Sequence, residues 1–169
     1  MIEVMIDCET LALGHEVPIV QIGACTMDMA KVFKVTVKPV GRSDPATLAW
    51  WKGKYPKKGA VSEDIALQAL VTWLSGVKPN IYWANDPQQD CIWLESAFRR
   101  NDMLYPWKYN QWRSYRTIRS LAPVDLKLVP DHDALNDCIR QCKCLRASLF
   151  HISETVSMAS HNKKEYLQS

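Results

Sequence analysis

The sequence predicts an α/β fold with a central mixed five-stranded sheet flanked by helices. Three observations carry that expectation. Three apolar runs near the N-terminus are joined by short connections, as in an antiparallel meander. From about residue 62 onward, helical and strand patterns alternate, the order that builds a mixed sheet covered by helices. The chain has 169 residues and 47% hydrophobic content, which suits one compact domain and is too short for two ordinary ones.

Taken in order, Ile2 to Ile6 is a short apolar run that ends in Asp7-Cys8-Glu9-Thr10. It reads as a buried strand with acids at its C-terminal end. Leu11 to Val17 reads as a loop, Ile19 to Met27 as a second strand and Asp28 to Lys31 as a turn. Val32 to Lys38 alternates Phe33, Val35 and Val37 with Lys34, Thr36 and Lys38, a strand with one wet face. Pro39 to Ala60 is a long connection holding one short helix around Asp44 to Trp51. Ser62 is placed to cap a helix whose apolar face is Ile65, Leu67, Leu70, Val71 and Leu74, with Gly76 as its C-terminal cap. Asn80 to Ala84 is a fourth strand. Asp86-Pro87 opens a second long helix, with Asp86 as N-cap, running to about Arg100. Tyr115 to Leu121 reads as a fifth strand. A third helix spans about Asp133 to Phe150, followed by a polar tail, residues 151–169, either a short docked helix or frayed.

Composition narrows the function classes. The net charge of +3 is too small to mark a nucleic-acid binder by itself. Lysines 52, 54, 57 and 58 nevertheless cluster, as do arginines 113, 116 and 119. No apolar run approaches the length needed to span a bilayer, so no membrane partner is expected. The six cysteines, with no secretory signal, suit reduced thiols and a cytoplasmic setting. Cys138 and Cys142 fall on the apolar face of the third helix with Leu135, Leu145 and Leu149, and lack zinc-ligand spacing. Core packing is the better reading of them.

The chemistry lies in acids at strand and helix ends. Asp7 and Glu9 are two apart on or just past a strand, so they share a side. Paired carboxylates repel, and a hard divalent cation between them relieves that cost. The bland alternative is a solvated strand end. Asp90, or else Asp86, follows the fourth strand; Asp86 has a capping task, which favours Asp90. His132 and Asp137 flank the start of the third helix, where a neutral imidazole near an ion can take a proton from water. Each pair alone is weak, and the combination carries the weight. Should the first and fourth strands be parallel neighbours, all these groups can meet at one sheet edge.

Asp-x-Glu-Thr, an aspartate after a central strand, and His-x4-Asp, in that order, resemble the DnaQ-like (DEDDh) 3′–5′ exonucleases of the ribonuclease H-like fold. The matching stretches are Ile6-Asp7-Cys8-Glu9-Thr10-Leu11 with Ile19-Val20-Gln21-Ile22-Gly23-Ala24, then Trp83-Ala84-Asn85 with Asp90-Cys91-Ile92-Trp93-Leu94, then His132-Asp133-Ala134-Leu135-Asn136-Asp137. Trp50-Trp51 and Tyr115-Arg116-Thr117-Ile118 resemble a compact branch of phage-type and exonuclease VIII-type enzymes related to a bacterial exoribonuclease. The resemblance covers roughly residues 1–150, the expected exonuclease domain. Asp86-Pro87-Gln88-Gln89 departs from the Gly and Phe common in that branch.

The resemblance implies two divalent ions, Mg²⁺ or Mn²⁺, held by Asp7, Glu9, Asp90 and Asp137, with His132 as general base and 5′-mononucleotides released from a 3′ end of DNA or RNA, single-stranded by preference. Thr10 and Leu11 are secondary candidates for holding the terminal nucleotide. Trp50 and Lys54, in an aromatic and basic loop, are candidates for base stacking and phosphate contact. This branch also admits a homodimer that completes the site. Two rivals remain open at this level: a catalytically silent nucleic-acid-binding module on the same fold, and a ribonuclease H-type endonuclease.

Overall fold

The computed structural model describes residues 1–124 and 126–166, with side chains described as far as residue 157. Its strands are β1 (Glu3–Thr10), β2 (Ile19–Thr26), β3 (Val32–Thr36), β4 (Ile81–Ala84) and β5 (Trp112–Ser114). Its helices are α1 (Pro45–Trp51), α2 (Glu63–Val77), α3 (Asp90–Arg100), α4 (Tyr115–Leu121) and α5 (Ala134–Tyr166). The five strands lie in the order β3-β2-β1-β4-β5. The first three are antiparallel, whereas β1–β4 and β4–β5 are parallel.

The side-chain alternation of the sheet sorts two apolar layers. Val4, Ile6 and Cys8 of β1, with Ile22 and Ala24 of β2, pack against Leu67 and Leu70 of α2 and Leu94 and Phe98 of α3. Met5 and Cys25, partners across β1 and β2, pack instead with Tyr115 of α4 and with Cys138, Cys142 and Leu145 of α5. These thiols pack in the core, as expected; Cys25 and Cys142 sulfurs lie 3.5 Å apart.

Two residues of β2 seat α5. Gly23 stands opposite Asp7, and a Cβ there would overlap the backbone of Ala134 and Leu135. Gln21 stands opposite Glu9, and its Oε1 accepts the Ala134 N–H at 2.7 Å. The positions facing the two acids are therefore the ones on which the start of α5 rests.

Several expectations need correction. Tyr115 to Leu121 is helix α4, and the fifth strand is the three residues before it. Tyr115, Ile118 and Ala122 recur at helical spacing toward the core, and Ser114 Oγ accepts the Thr117 N–H as an N-cap. The second long helix begins at Asp90, not after Asp86. Pro87 sits in a turn, with the Asp86 side chain accepting from the Gln88 N–H and its main-chain carbonyl from the Gln89 N–H. Gly76 lies inside α2, which closes at Lys78 in a left-handed conformation (φ 54°). Ile65 is exposed, and Ala66 takes its place in the core. The last helix does not stop at Phe150: α5 continues to Tyr166, and residues 167–169 of the expected tail lie outside the described residues. No described helix is long and apolar enough to cross a membrane.

Candidate active site

β1 runs five residues beyond its last pairing with β4, at Met5–Trp83. Past that point one edge of β1 is free of a neighbouring strand, at the place where its partners switch from antiparallel to parallel. Such switch points open crevices in α/β sheets. A cavity of about 570 Å³ lies there, and its lining includes Asp7, Glu9, Asp90, His132 and Asp137.

Each acid is held from a different element. Asp7 is buried on β1, and its Oδ1 accepts the Gln141 Nε2–H of α5 at 2.8 Å. Asp90 opens α3, and its Oδ1 accepts the Cys8 N–H at 3.1 Å, which occupies the amide left by the departure of β4. Asp137 lies in the first turn of α5, and its Oδ1 accepts from Arg140 Nε at 2.9 Å. Glu9, half-buried, is two residues beyond Asp7 on the same face of β1. One ligand atom each from Glu9, His132 and Asp137 lie within 4.8 Å of one another. Asp86 is elsewhere, paired with Arg116 at 3.0 Å.

The electrostatics show the strain of this assembly. Burial, then the charges of Asp90 and Glu9, push Asp7 well above the usual carboxylate range. Burial, then Asp137 and Asp90, push Glu9 up to about 8. Burial lifts Asp90 to about 7, against the opposing pull of the Cys8 N–H. Acids gathered in this way with no described base among them to neutralise Asp7 are a donor set for hard divalent cations. Gln141 Oε1, buried with no hydrogen-bond partner, is a further oxygen in the same wall. The donors are oxygens with one imidazole, which fits Mg²⁺ or Mn²⁺ better than a thiolate-seeking metal.

His132 is exposed, with a left-handed backbone (φ 56°). Its ring meets the edge of Trp50 at 4.5 Å and of Trp51 at 6.2 Å between centroids. α1 carries both tryptophans into the lining of the cavity, Trp51 buried and Trp50 exposed. The helix is tied down by Trp51 Nε1–H to the Thr10 carbonyl at 3.0 Å, and by the Asp44 N–H to the Leu11 carbonyl at 2.8 Å.

The other sequence candidates divide. Thr10 and Trp50 line the cavity, and Trp50 is half-exposed there. Leu11 does not line it; its side chain is buried against Val20 and Trp51. Lys54 is exposed on the loop after α1, outside the lining. Sequence reasoning missed Arg140 and Gln141. Their spacing from Asp137, one helical turn along the same face, was the available signal. It also missed Trp93, which lines the cavity and donates from Nε1 to the Gly14 carbonyl at 2.7 Å, fixing the loop after β1.

The sequence profile of a family described as the Rv2179c-like 3′-5′ exoribonuclease domain matches residues 2–149. Among solved structures, the nuclease domain of 3′hExo, a DEDDh family member, bound to rAMP, is similar in fold. It superimposes with a TM-score of 0.64 at 10% identity, covering 86% of this chain and 90% of that one. Exonuclease X in complex with 5′ overhanging duplex DNA aligns at a TM-score of 0.46 and 17% identity, covering 88% of each chain. No individually curated protein matches the chain.

Proposed function

The chain belongs to the Rv2179c-like 3′-5′ exoribonuclease domain family, and on that premise we propose that it is a 3′-5′ exonuclease of DEDDh type that trims single-stranded RNA from its 3′ end with two divalent ions and a histidine base. The observation that carries this reading is the convergence of Asp7, Glu9, Asp90, Asp137 and His132 on one cavity at the end of β1. RNA is favoured over DNA by the family description. An unpaired end is favoured by a cavity walled on one side by α1 and on the other by α5, which leaves Trp50 to stack on a free base.

In this reading Asp7, Glu9, Asp90 and Asp137 would hold two Mg²⁺ or Mn²⁺ ions, which when bound would supply positive charge to offset the charge that develops during hydrolysis. His132, solvent-facing and steadied by the Trp50 edge, takes the proton from the attacking water. The 3′-terminal phosphodiester breaks, and a 5′-mononucleotide leaves. Thr10 lines the pocket for the terminal nucleotide, and the Leu11 backbone helps to hold α1 over it. Residues 1–150 form the catalytic domain. All five catalytic side chains come from one chain, so the reading requires no second copy.

A second reading of one residue has its own support. The close approach of His132 to Glu9 and Asp137 would also let it bind an ion directly. The test combines both questions. Matched single- and double-stranded RNA and DNA oligonucleotides, labelled at the 5′ end, are incubated with Mg²⁺ or Mn²⁺. Stepwise shortening of single-stranded RNA to mononucleotides is the expected result. Cutting of a circular substrate would point instead to an endonuclease, and no metal-dependent release at all to a silent binding module. His132→Ala is expected to slow cleavage greatly with Mn²⁺ affinity unchanged in calorimetry; lost affinity would make His132 a ligand.

A further inference from the structure

Gln141 is almost wholly buried, at 2% exposure, yet it lines the cavity. Its two polar atoms have different fates. Nε2 donates to Asp7 Oδ1 at 2.8 Å. Oε1 has no partner, although buried polar atoms nearly always find one. The residue stands one turn beyond Asp137 on α5, so one helix face supplies both a site acid and the group that grips another. Arg140 does the same for Asp137 from the intervening position.

We propose that Gln141 is a positioning residue for Asp7, holding one carboxylate oxygen so that the other is presented to the divalent ions. The geometry supports this in two ways. A carboxylate on a buried strand can rotate about its last torsion, and one fixed N–H removes that freedom. Groups that orient a ligand in this manner set metal affinity nearly as strongly as the ligands themselves. The partnerless Oε1 supplies the second support. In a purely structural amide both atoms would be satisfied by protein. Here the acceptor is left for a donor that arrives with the working site, such as water in the coordination shell of an ion.

This inference rests on the exonuclease reading above, and the experiment separates the two. Gln141→Leu and Gln141→Met are made in the full chain. Leucine fills the space without either polar atom, and methionine does the same at nearly the full length of glutamine, neither adding a charge to the site. The concentration of Mn²⁺ giving half of the full metal-induced rise in Tm is measured for each, with a parallel calorimetric titration well below the Tm of each variant. The wild type must first show such a rise and metal-dependent cleavage; without them it is the exonuclease reading that fails. Given those, the expected result is that both variants need roughly tenfold or more higher Mn²⁺, with kcat lowered and KM for the oligonucleotide little changed. The metal-free Tm of Gln141→Leu does not decide the matter, since an unsatisfied buried oxygen is removed together with the N–H that Asp7 Oδ1 accepts. A half-saturating Mn²⁺ concentration like that of the wild type in either variant, whatever happens to Tm, would overturn the proposal. So would a change in KM alone, which would make Gln141 a substrate contact.

Discussion

Asp7 is the residue on which the chemistry converges, and the fold tolerates it poorly when no cation is near. Its carboxyl is buried, and Asp90 and Glu9 raise it further. For acids whose folded pKa lies above the unfolded value, the native state binds more protons than the unfolded chain between the two. The stability that they contribute is complete below the ordinary carboxylate range, at roughly pH 4, and is lost as pH rises through the folded values, about 7 for Asp90 and about 8 for Glu9. The metal-free protein is therefore expected to show a falling Tm across that window, and added Mg²⁺ or Mn²⁺ to restore most of it at the alkaline end. Asp7→Ala should abolish cleavage, raise the metal-free Tm at pH 8 and flatten the profile. Thermal scans with and without chelator check this; a profile that stays as steep in the variant would mean that Asp7 is not among the strained groups. At this scale the sequence was informative. The spacing of Asp7 and Glu9 placed them on one side, and both line the cavity. Asp90 was separable from Asp86 only through an assumed cap at Asp86, which the structure replaces with a turn and an ion pair to Arg116. Gln141 was overlooked because a glutamine on an amphipathic helix looks like any solvated polar residue unless its spacing from Asp137 is weighed.

Among the elements, α5 decides whether the site exists, and its seat on β2 is narrow. Gly23 has no room for a Cβ. Gly23→Ala forces the first turn of α5 away from the sheet, carrying Asp137 and Gln141 with it. Overpacking of this kind costs about 1–3 kcal/mol. The expected outcome is a lower Tm together with a weakened response to Mn²⁺, measured by denaturant and metal titrations. Wild-type metal affinity in a destabilised variant would show that α5 reseats without disturbing the acids. Strand β2 was read from its apolar run, but nothing in the run told that one glycine was a docking surface. The errors at α4 and at the start of α3 have separate causes: at α3 a turn over Asp86 to Gln89 stands where a cap was read, and at α4 packing wins. Tyr115, Thr117 and Ile118 favour strands locally, whereas the Ser114 cap and burial against α5 favour a helix, and tertiary packing outweighs local preference over so few residues.

For the molecule as a whole, the layered arrangement was legible because periodicity and element order survive in the sequence, whereas the closeness of helix and sheet does not. The distribution of charge belongs to this scale too. The modest net charge of +3 leaves phosphate attraction to local clusters, and the lysines that follow α1, outside the cavity lining, form one such cluster. One of them, Lys57, already lies over the Tyr55 ring at 4.2 Å. Replacing Lys54 and Lys57 together with glutamate should raise KM for a long oligonucleotide and reduce the salt dependence of binding, the log–log slope falling by about one for each phosphate no longer neutralised, with kcat nearly unchanged. Binding measured across a salt series checks this, and an unaltered slope would remove the loop from the substrate path.

The Cys8 N–H has a wider consequence. It sits in a strand yet is bonded to the Asp90 carboxylate and not to a neighbouring strand. Its deuterium uptake in heavy water would therefore follow the loosening of α3 from the catalytic floor separately from the melting of the sheet, giving the protein an isotopic gauge of the assembled site within its own backbone.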